Sequence, residues 1–297
     1  YLNKNYCIAV PTETVYGLAA NAYVDSAIKR IFSLKKRPKN NPLIVHYLDM
    51  KSLKKDCIIN DNFTKLYQKF SPGPITYILK LKKDSKISKY VTNNKKKLAV
   101  RFPKHNLFKS LLKQLNYPLA APSANITTKV SAVKVNDVKE EFGNKIKYIL
   151  DGGTCAIGIE STIVNLTGKP TILRLGGLDI SKIQKTLGFR LNIAINSQKK
   201  IAPGQSRLHY SPGIPLRMNV TKPRNNEAFI LTKKRKIKSK NYFYLSSNKN
   251  LNEVAKKLYS CLRKIKNNGY KSIAVEKISN KGLGKAINDR LKRASRY

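Results

Sequence analysis

The chain has 297 residues, 41% of them hydrophobic, which is enough for one large domain or two ordinary ones with packed cores. No apolar run approaches the roughly 18 residues that a membrane-spanning helix needs, and Cys7, Cys57, Cys155 and Cys261 stand too far apart for a zinc site or a disulfide framework, as fits a reducing cytoplasm. A net charge of +44 favours anionic ligands at long range.

Nucleic-acid recognition is a weaker reading of that charge. Arg, the better reader of phosphates, supplies only 13 of the 60 basic residues, and the Lys are spread over the whole length among many Asn and Ile. Residues 214–297 carry 23 basic against 4 acidic residues (+19), and residues 1–213 carry 37 against 12 (+25). The last stretch is therefore about twice as densely basic, one hint of a domain boundary.

In chain order, Cys7–Val10 predicts a buried strand that stops at Pro11. No Met precedes it, so an N-terminal segment is expected to be missing. PTETVYG (11–17) follows directly. By itself it is a turn, but α/β sheets gather ligands where strands end, and Thr hydroxyls with a carboxylate suit a substrate's amino or hydroxyl group. Ala27, Ile28, Ile31 and Leu34 have helical spacing, with Asp25 or Ser26 as N-cap. Lys35 and Arg37 close that helix before Pro38. The helix dipole would favour cations there, and so would a polyphosphate, met by Lys as a point charge and Arg as a fork, with Asn41 close by. PLIVHY (42–47) predicts a strand bearing His46, a residue type more often found hydrogen-bonded in a core than catalytic.

FTKLYQKF (63–70) and HNLFKSLLKQL (105–115) predict helices, and ITYILKL (75–81), KLAVRF (97–102), YPLAA (117–121), KYILD (147–151) and STIVNL (161–166) predict strands. Arg101 ends an apolar strand, where a charge needs a partner. Ser123 and Asn125 flank Ala124 and project the same way if the chain is extended. Gly-rich DGGTCAIGIE (151–160) leads into Ser161 and Thr162. NSQKKIAPGQSRLHYSPG (196–213) has no period and reads as a linker. Beyond it, AFILT, NYFYLS and SIAVEKI predict strands, and residues 251–268 and 283–295 amphipathic helices. Lysine-rich KKRKIKSK (233–240) reads as a solvated loop. Such mixing implies an α/β or α+β domain with a largely covered sheet, followed by a second, small α/β pattern. No phosphate-binding GxxxxGK[ST], GxGxxG, Cys–His or Ser–His–Asp pattern occurs. Such a site suits a reaction in which the protein positions reactants and stabilises charge on phosphate.

The ordered set PTETVYGL, KKRP-x3-PLIVH, SPGPIT, AVRFP, APSAN, DGG…GIESTIV and ILRLGG resembles the YrdC-domain family, the L-threonylcarbamoyladenylate synthases, over residues 1 to about 190. PGQSRLHYSPG resembles the linker of the long, two-domain form of that family, and GLGKAINDRLKRAS the last helix of its C-terminal domain. The resemblance implies a YrdC-like catalytic domain at 1–195, built on a twisted, open mixed sheet with helices. It further implies an ordered linker over the active site at 196–213 and a smaller Rossmann-like α/β domain at 214–297.

It also implies a reaction, in which L-threonine, bicarbonate or CO2, and ATP give threonylcarbamoyl-AMP and pyrophosphate. The product would pass to a tRNA threonylcarbamoyl transferase complex. By the family pattern Thr14, His46, Arg101 and Ser161 contact threonine. Lys35, Arg37, Asn41, Ser123, Asn125, Arg174 and Tyr210 hold ATP, with Lys35 and Arg37 catalytic. Mg²⁺ accompanies ATP and no residue is assigned as a metal ligand. Ala19 stands where the family commonly has Gly, which would crowd the site slightly, and Asn165 where Asp is usual; the linker keeps Pro203, Gly204, His209 and Tyr210. The alternative is a basic RNA-binding module for tRNA or double-stranded RNA without catalysis, although no aromatic-rich recognition motif supports it. A carbamoyl-adenylate domain of hydrogenase maturation would lack the linker and C-terminal domain.

Overall fold

The structure, a computed structural model, describes residues 1–195, 209–236 and 239–296. Most of the expected linker (196–208), with Pro203 and Gly204, and residues 237–238 of the lysine-rich loop lie outside the described residues.

The first unit places ten strands in one mixed sheet: β1 (Ile8–Val10), β2 (Gly17–Asn21), β3 (Ile44–His46), β4 (Cys57–Ile58), β5 (Ile75–Leu81), β6 (Lys97–Arg101), β7 (Leu119–Ala120), β8 (Thr162–Asn165), β9 (Thr171–Arg174) and β10 (Asn192–Ile193). Their order is β1-β2-β7-β3-β6-β5-β8-β9-β10, with β4 beside β5. The pairs β3/β6, β5/β8 and β9/β10 are parallel and the others antiparallel. β5 runs through the middle, and its first five residues are buried on both faces, as the apolar run ITYIL requires.

Helices α1 (Asp25–Leu34), α2 (Met50–Leu53), α3 (Asp61–Phe70), α4 (Lys89–Thr92), α5 (Asn106–Lys113), α6 (Val135–Phe142) and α7 (Ile180–Leu187) cover the sheet. α1 buries Ala27, Ile28 and Ile31 as its period predicts, with Phe32 buried and Leu34 only half-buried, and α3 buries Phe63 and Leu66. Phe63 meets Tyr77 of β5 edge-on at 4.9 Å; each such fully buried side chain contributes about 1.5–3 kcal/mol.

Two local expectations change. Val24, not Asp25 or Ser26, precedes α1 as its cap residue and offers no side-chain bond. Asp25 instead accepts from Ser88 Oγ at 2.5 Å, tying α1 to the chain before α4. KYILD forms no strand, only a single bridge between Ile149 and Ala9, because β1 is already paired with β2 on its other edge and ends three residues after it starts.

The second unit is a parallel four-stranded sheet, β11 (Leu216–Arg217), β12 (Ala228–Leu231), β13 (Tyr242–Tyr244) and β14 (Ile273–Val275), in the order β11-β14-β12-β13, with α8 (Leu251–Asn267) and α9 (Gly284–Ala294). Ala228, Phe229, Ile230 and Leu231 are all fully buried, as in a parallel strand covered on both faces. This is the smaller Rossmann-like unit that the sequence implies. It packs against the first through α8 and α9. Gly158, at φ 82°, lies so close to α8 that a Cβ there would come within 2.6 Å of Ala255 O.

Candidate active site

The ends of β1, β3, β6, β7 and β9 and the start of β8 converge on a cavity of about 40 Å³, room for a few waters. Thr12, Arg37, His46, Arg101, Ser123, Glu160, Arg174, His209 and Tyr210 are among its lining residues.

The cationic side starts at the end of α1. Lys36 takes a left-handed φ of 48°, so the chain turns and buries Lys35 and Arg37 on either side of an exposed Lys36. Lys35 Nζ donates to the carbonyls of Ser123, at 2.5 Å, and Asn125. Burial, then the like charge of Arg37, hold its pKa well below the usual lysine value. Arg37 Nε donates to Asn41 O (3.1 Å) and Nη2 to Pro42 O (2.9 Å). Burial, and next the Arg174 charge, lower Arg37 to about 9, still cationic at neutral pH. Ser123 and Asn125 do share a side: Ser123 Oγ donates to Asn125 Oδ1 at 2.6 Å. Asn125 Nδ2 donates to Ile126 O (2.8 Å) and Lys129 O (2.9 Å), fixing the loop after β7.

On the opposite side, Thr12 Oγ accepts from the amides of Thr14 (3.0 Å) and Val15 (3.1 Å) and donates to Val15 O (2.7 Å). The hydroxyls of Thr12 and Thr14 lie 2.8 Å apart. PTETVYG is therefore both a side-chain-built turn and one wall of the site. Its carboxylate does not serve as the sequence suggests. Glu13 pairs with Arg101 Nη2 at 2.8 Å and accepts from the Lys104 amide at 3.0 Å, which makes it the partner Arg101 requires. His46 stands opposite Arg101 in the β3/β6 register, its ring 5.3 Å from Phe108. Burial, then Arg101, keep its pKa well below the usual imidazole value, so it is neutral.

Ser161, at the entry to β8, shares a hydrogen bond with Thr76 (2.7 Å) and accepts from Arg174 Nη2 (3.0 Å), while Arg174 Nε donates to Ser161 O (3.0 Å). His209 and Tyr210 also line the cavity, with Tyr210 at φ 64°.

Buried polar atoms are nearly always paired. Here Asn41 Oδ1, Arg101 Nε, His209 Nδ1 and the Tyr210 hydroxyl have no hydrogen-bond partner among the described residues. That clustering marks where the polar groups of a ligand would go.

The cavity thus gathers Arg37, His46, Arg101, Ser123, Arg174 and Tyr210 in its lining. Lys35, Asn41, Asn125, Thr14 and Ser161 are not in the lining and are joined to the site by the bonds above. Two expected departures fall away from it. Ala19 packs in an apolar layer with Ile8 and Phe108, so it does not crowd the cavity. Asn165 Oδ1 caps a turn by accepting from the Thr167 amide and hydroxyl.

Sequence reasoning missed Glu160. This buried carboxylate accepts from Ser131 Oγ (2.6 Å), Tyr259 (3.0 Å) and Arg290 Nε (2.9 Å). Burial would raise its pKa, but Arg290 and Arg174 pull it down to about 2. The signal was a lone acid inside the otherwise apolar or small-residue run AIGIESTIV.

Residues 1–176 match the family model of the Sua5, YciO and YrdC proteins, described as telomere recombination, and residues 178–296 match that of the threonylcarbamoyl-AMP synthase C-terminal domain. The threonylcarbamoyl-AMP synthase of Pyrococcus abyssi is 36% identical over 321 residues, covering 100% of this chain and 92% of the relative. That of Bacillus subtilis is 34% identical over 315 residues, covering 99% and 90%. The crystal structure of P. abyssi Sua5 complexed with L-threonine matches with a TM-score of 0.90 at 33% identity, over 99% of this chain and 92% of that one.

Proposed function

Because the chain belongs to the threonylcarbamoyl-AMP synthase family, matched over both of its domains, we propose that it converts L-threonine, bicarbonate or CO2, and ATP to threonylcarbamoyl-AMP and pyrophosphate, a nucleotidyl transfer that feeds threonylcarbamoyl adenosine formation in tRNA. The observation that carries this reading is a cavity lined by buried cations, beside polar atoms that have no hydrogen-bond partner among the described residues.

Thr14, His46, Arg101 and Ser161 form the threonine half. Lys35, Arg37, Asn41, Ser123, Asn125, Arg174 and Tyr210 form the ATP half. The threonine ammonium gives up a proton to solvent, and the free amine then captures CO2 with release of a second proton, or bicarbonate with loss of water, and gives an N-carboxylate. An oxygen of that carboxylate attacks the α-phosphorus, the bond from α-phosphorus to the bridging oxygen breaks, and pyrophosphate leaves. Lys35 and Arg37 offset the charge that builds on the phosphate oxygens. A neutral His46 offers a lone pair to threonine without repelling its ammonium.

A protein-held Mg²⁺ does not fit. Among the described residues no group of three or more His, Cys, Asp and Glu could hold a metal, and Glu160, the carboxylate of the lining, is taken up by Arg290, Tyr259 and Ser131. Any Mg²⁺ therefore arrives on the phosphates of ATP.

In this reading residues 1–195 are the catalytic domain, 196–213 the linker and 214–297 the C-terminal domain. The product passes to a tRNA threonylcarbamoyl transferase. No helix among the described residues is long and apolar enough to cross a membrane, and Cys7, Cys57, Cys155 and Cys261 are free thiols, which suits a cytoplasmic enzyme. Product identification by mass, with pyrophosphate counted in parallel, tests the proposal. Threonylcarbamoyl-AMP should form only when threonine, bicarbonate and ATP are all present. Absence of that mass, with tRNA binding that falls steeply with salt and ignores threonine, would favour the RNA-binding alternative.

A further inference from the structure

Arg290 sits on α9 of the second unit, yet its guanidinium reaches the first unit beside the cavity and is 1% exposed. Nε donates to Glu160 Oε2 at 2.9 Å and Nη2 to Leu175 O at 2.6 Å. Those acceptors belong to the chain neighbours of two site residues, Ser161 and Arg174. The same guanidinium lies 4.7 Å from the ring centre of Tyr210, whose ring also meets those of His209 at 4.0 Å and of Tyr259, stacked, at 5.9 Å. Nη1 is held by Asp289 at 2.7 Å. One side chain of the second unit thus touches three segments that build the site: the entry to β8, the exit of β9 and the 209–210 segment.

We propose that Arg290 is a positioning residue for the reaction, acting from the C-terminal domain to hold Glu160 away from Arg174 and to seat Tyr210 over the nucleotide half of the cavity; this rests on the synthase reading above. A buried carboxylate must have a cationic or donor partner. Glu160 already feels Arg174 as well as Arg290. Arg174 lines the same cavity as Glu160 and is bonded to Ser161, the next residue in the chain, so without Arg290 its capture by Glu160 would draw it off Ser161 and out of reach of a phosphate. A lysine at 290 keeps the charge but loses the fork that spans Glu160 and Leu175. The effect should therefore fall on ATP rather than on threonine.

The test is steady-state kinetics of wild type and Arg290→Lys, with thermal unfolding followed alongside. KM for ATP should rise tenfold or more, KM for threonine should stay within about threefold, and the unfolding midpoint should move by only a few degrees. Unchanged KM for ATP, or equal rises in both KM values that track a loss of folded protein, overturns the proposal. If Arg290→Lys does not fold, Tyr259→Phe, which removes one donor to Glu160 and no charge, decides: a two- to fivefold rise confined to ATP is expected, and wild-type kinetics overturns it. A wild type that binds ATP by calorimetry but makes no threonylcarbamoyl-AMP defeats only the synthase reading, and the ATP affinity of Arg290→Lys then decides the inference. A wild type that turns over normally alongside an equally active Arg290→Lys defeats only the inference.

Discussion

Lys35 carries the strongest residue-scale consequence. Its ammonium is buried against two backbone carbonyls with a lowered pKa, an arrangement that stability alone would not favour. An anionic ligand would compensate it and Arg37 together. Lys35→Ala and Arg37→Ala are each expected to slow the chemical step by about 10²–10³-fold, the usual effect of removing one stabiliser of developing charge. Near-normal pyrophosphate release from a folded double variant would sink that role. Most of these residues were legible because they lie in short polar runs at strand ends, such as Thr14 in PTETVYG and Lys35 and Arg37 in KKRP. Glu160 and Arg290 were not read as site residues, because their meaning lies in a partner 130 residues away. Arg290 nevertheless left a trace. It falls on the apolar stripe of α9 with Ala286, Ile287, Leu291 and Ala294, where a charge at helical spacing calls for a buried acid.

At the scale of elements, glycines decide how closely the two units approach. Gly158 combines a left-handed φ with contact to the α8 backbone at Ala255 and Lys256. Gly158→Ala should lower the unfolding free energy by about 2 kcal/mol or more, half from the conformation and half from displacing α8. Chemical denaturation measures it, and a loss under about 0.5 kcal/mol would mean that the helix yields freely. Within the first unit Gly176 is tighter still, since a Cβ there would lie 2.3 Å from Glu160 O. The long helices and β5 were legible from period and length. β2 and β9 were not, because GLAAN and TILR are short and carry no alternation, and two-residue strands such as β4 and β10 have no period to detect, whereas β7 lies inside the predicted strand YPLAA.

Over the whole molecule, acid should be the weak point. Burial lowers His209 from 6.5 to about 3, and Glu160 is lowered from 4.5 to about 2 by its arginines against the effect of burial. Both folded-state values are depressed, so the unfolded chain binds more protons as pH falls. The stability due to His209 is complete above pH 6.5 and is lost down to about 3, and that due to Glu160 is lost from 4.5 down to about 2. Urea midpoints at pH 7 and 5.5 should differ less in His209→Asn than in wild type; identical slopes would place the titration elsewhere. Deleting residues 214–297 removes Arg290 and Tyr259 from Glu160 and Tyr210, and ATP turnover should fall at least tenfold. Full turnover and affinity in the truncated chain would show that the second unit takes no part in the site.

The sequence by itself determined the α/β class, the succession of a larger and a smaller unit, and the polar runs that end the strands, because period, turn chemistry and short motifs are local. Only the tertiary structure decided who pairs with whom. It gave Glu13 to Arg101 across 88 residues, laid His209 and Tyr210 over the cavity, and drove Arg290 from the last helix into the neighbours of Ser161 and Arg174. The partner of a buried charge is set by distance in the folded chain and by the penalty for leaving that charge unpaired, and neither is written in the spacing of residues along the sequence.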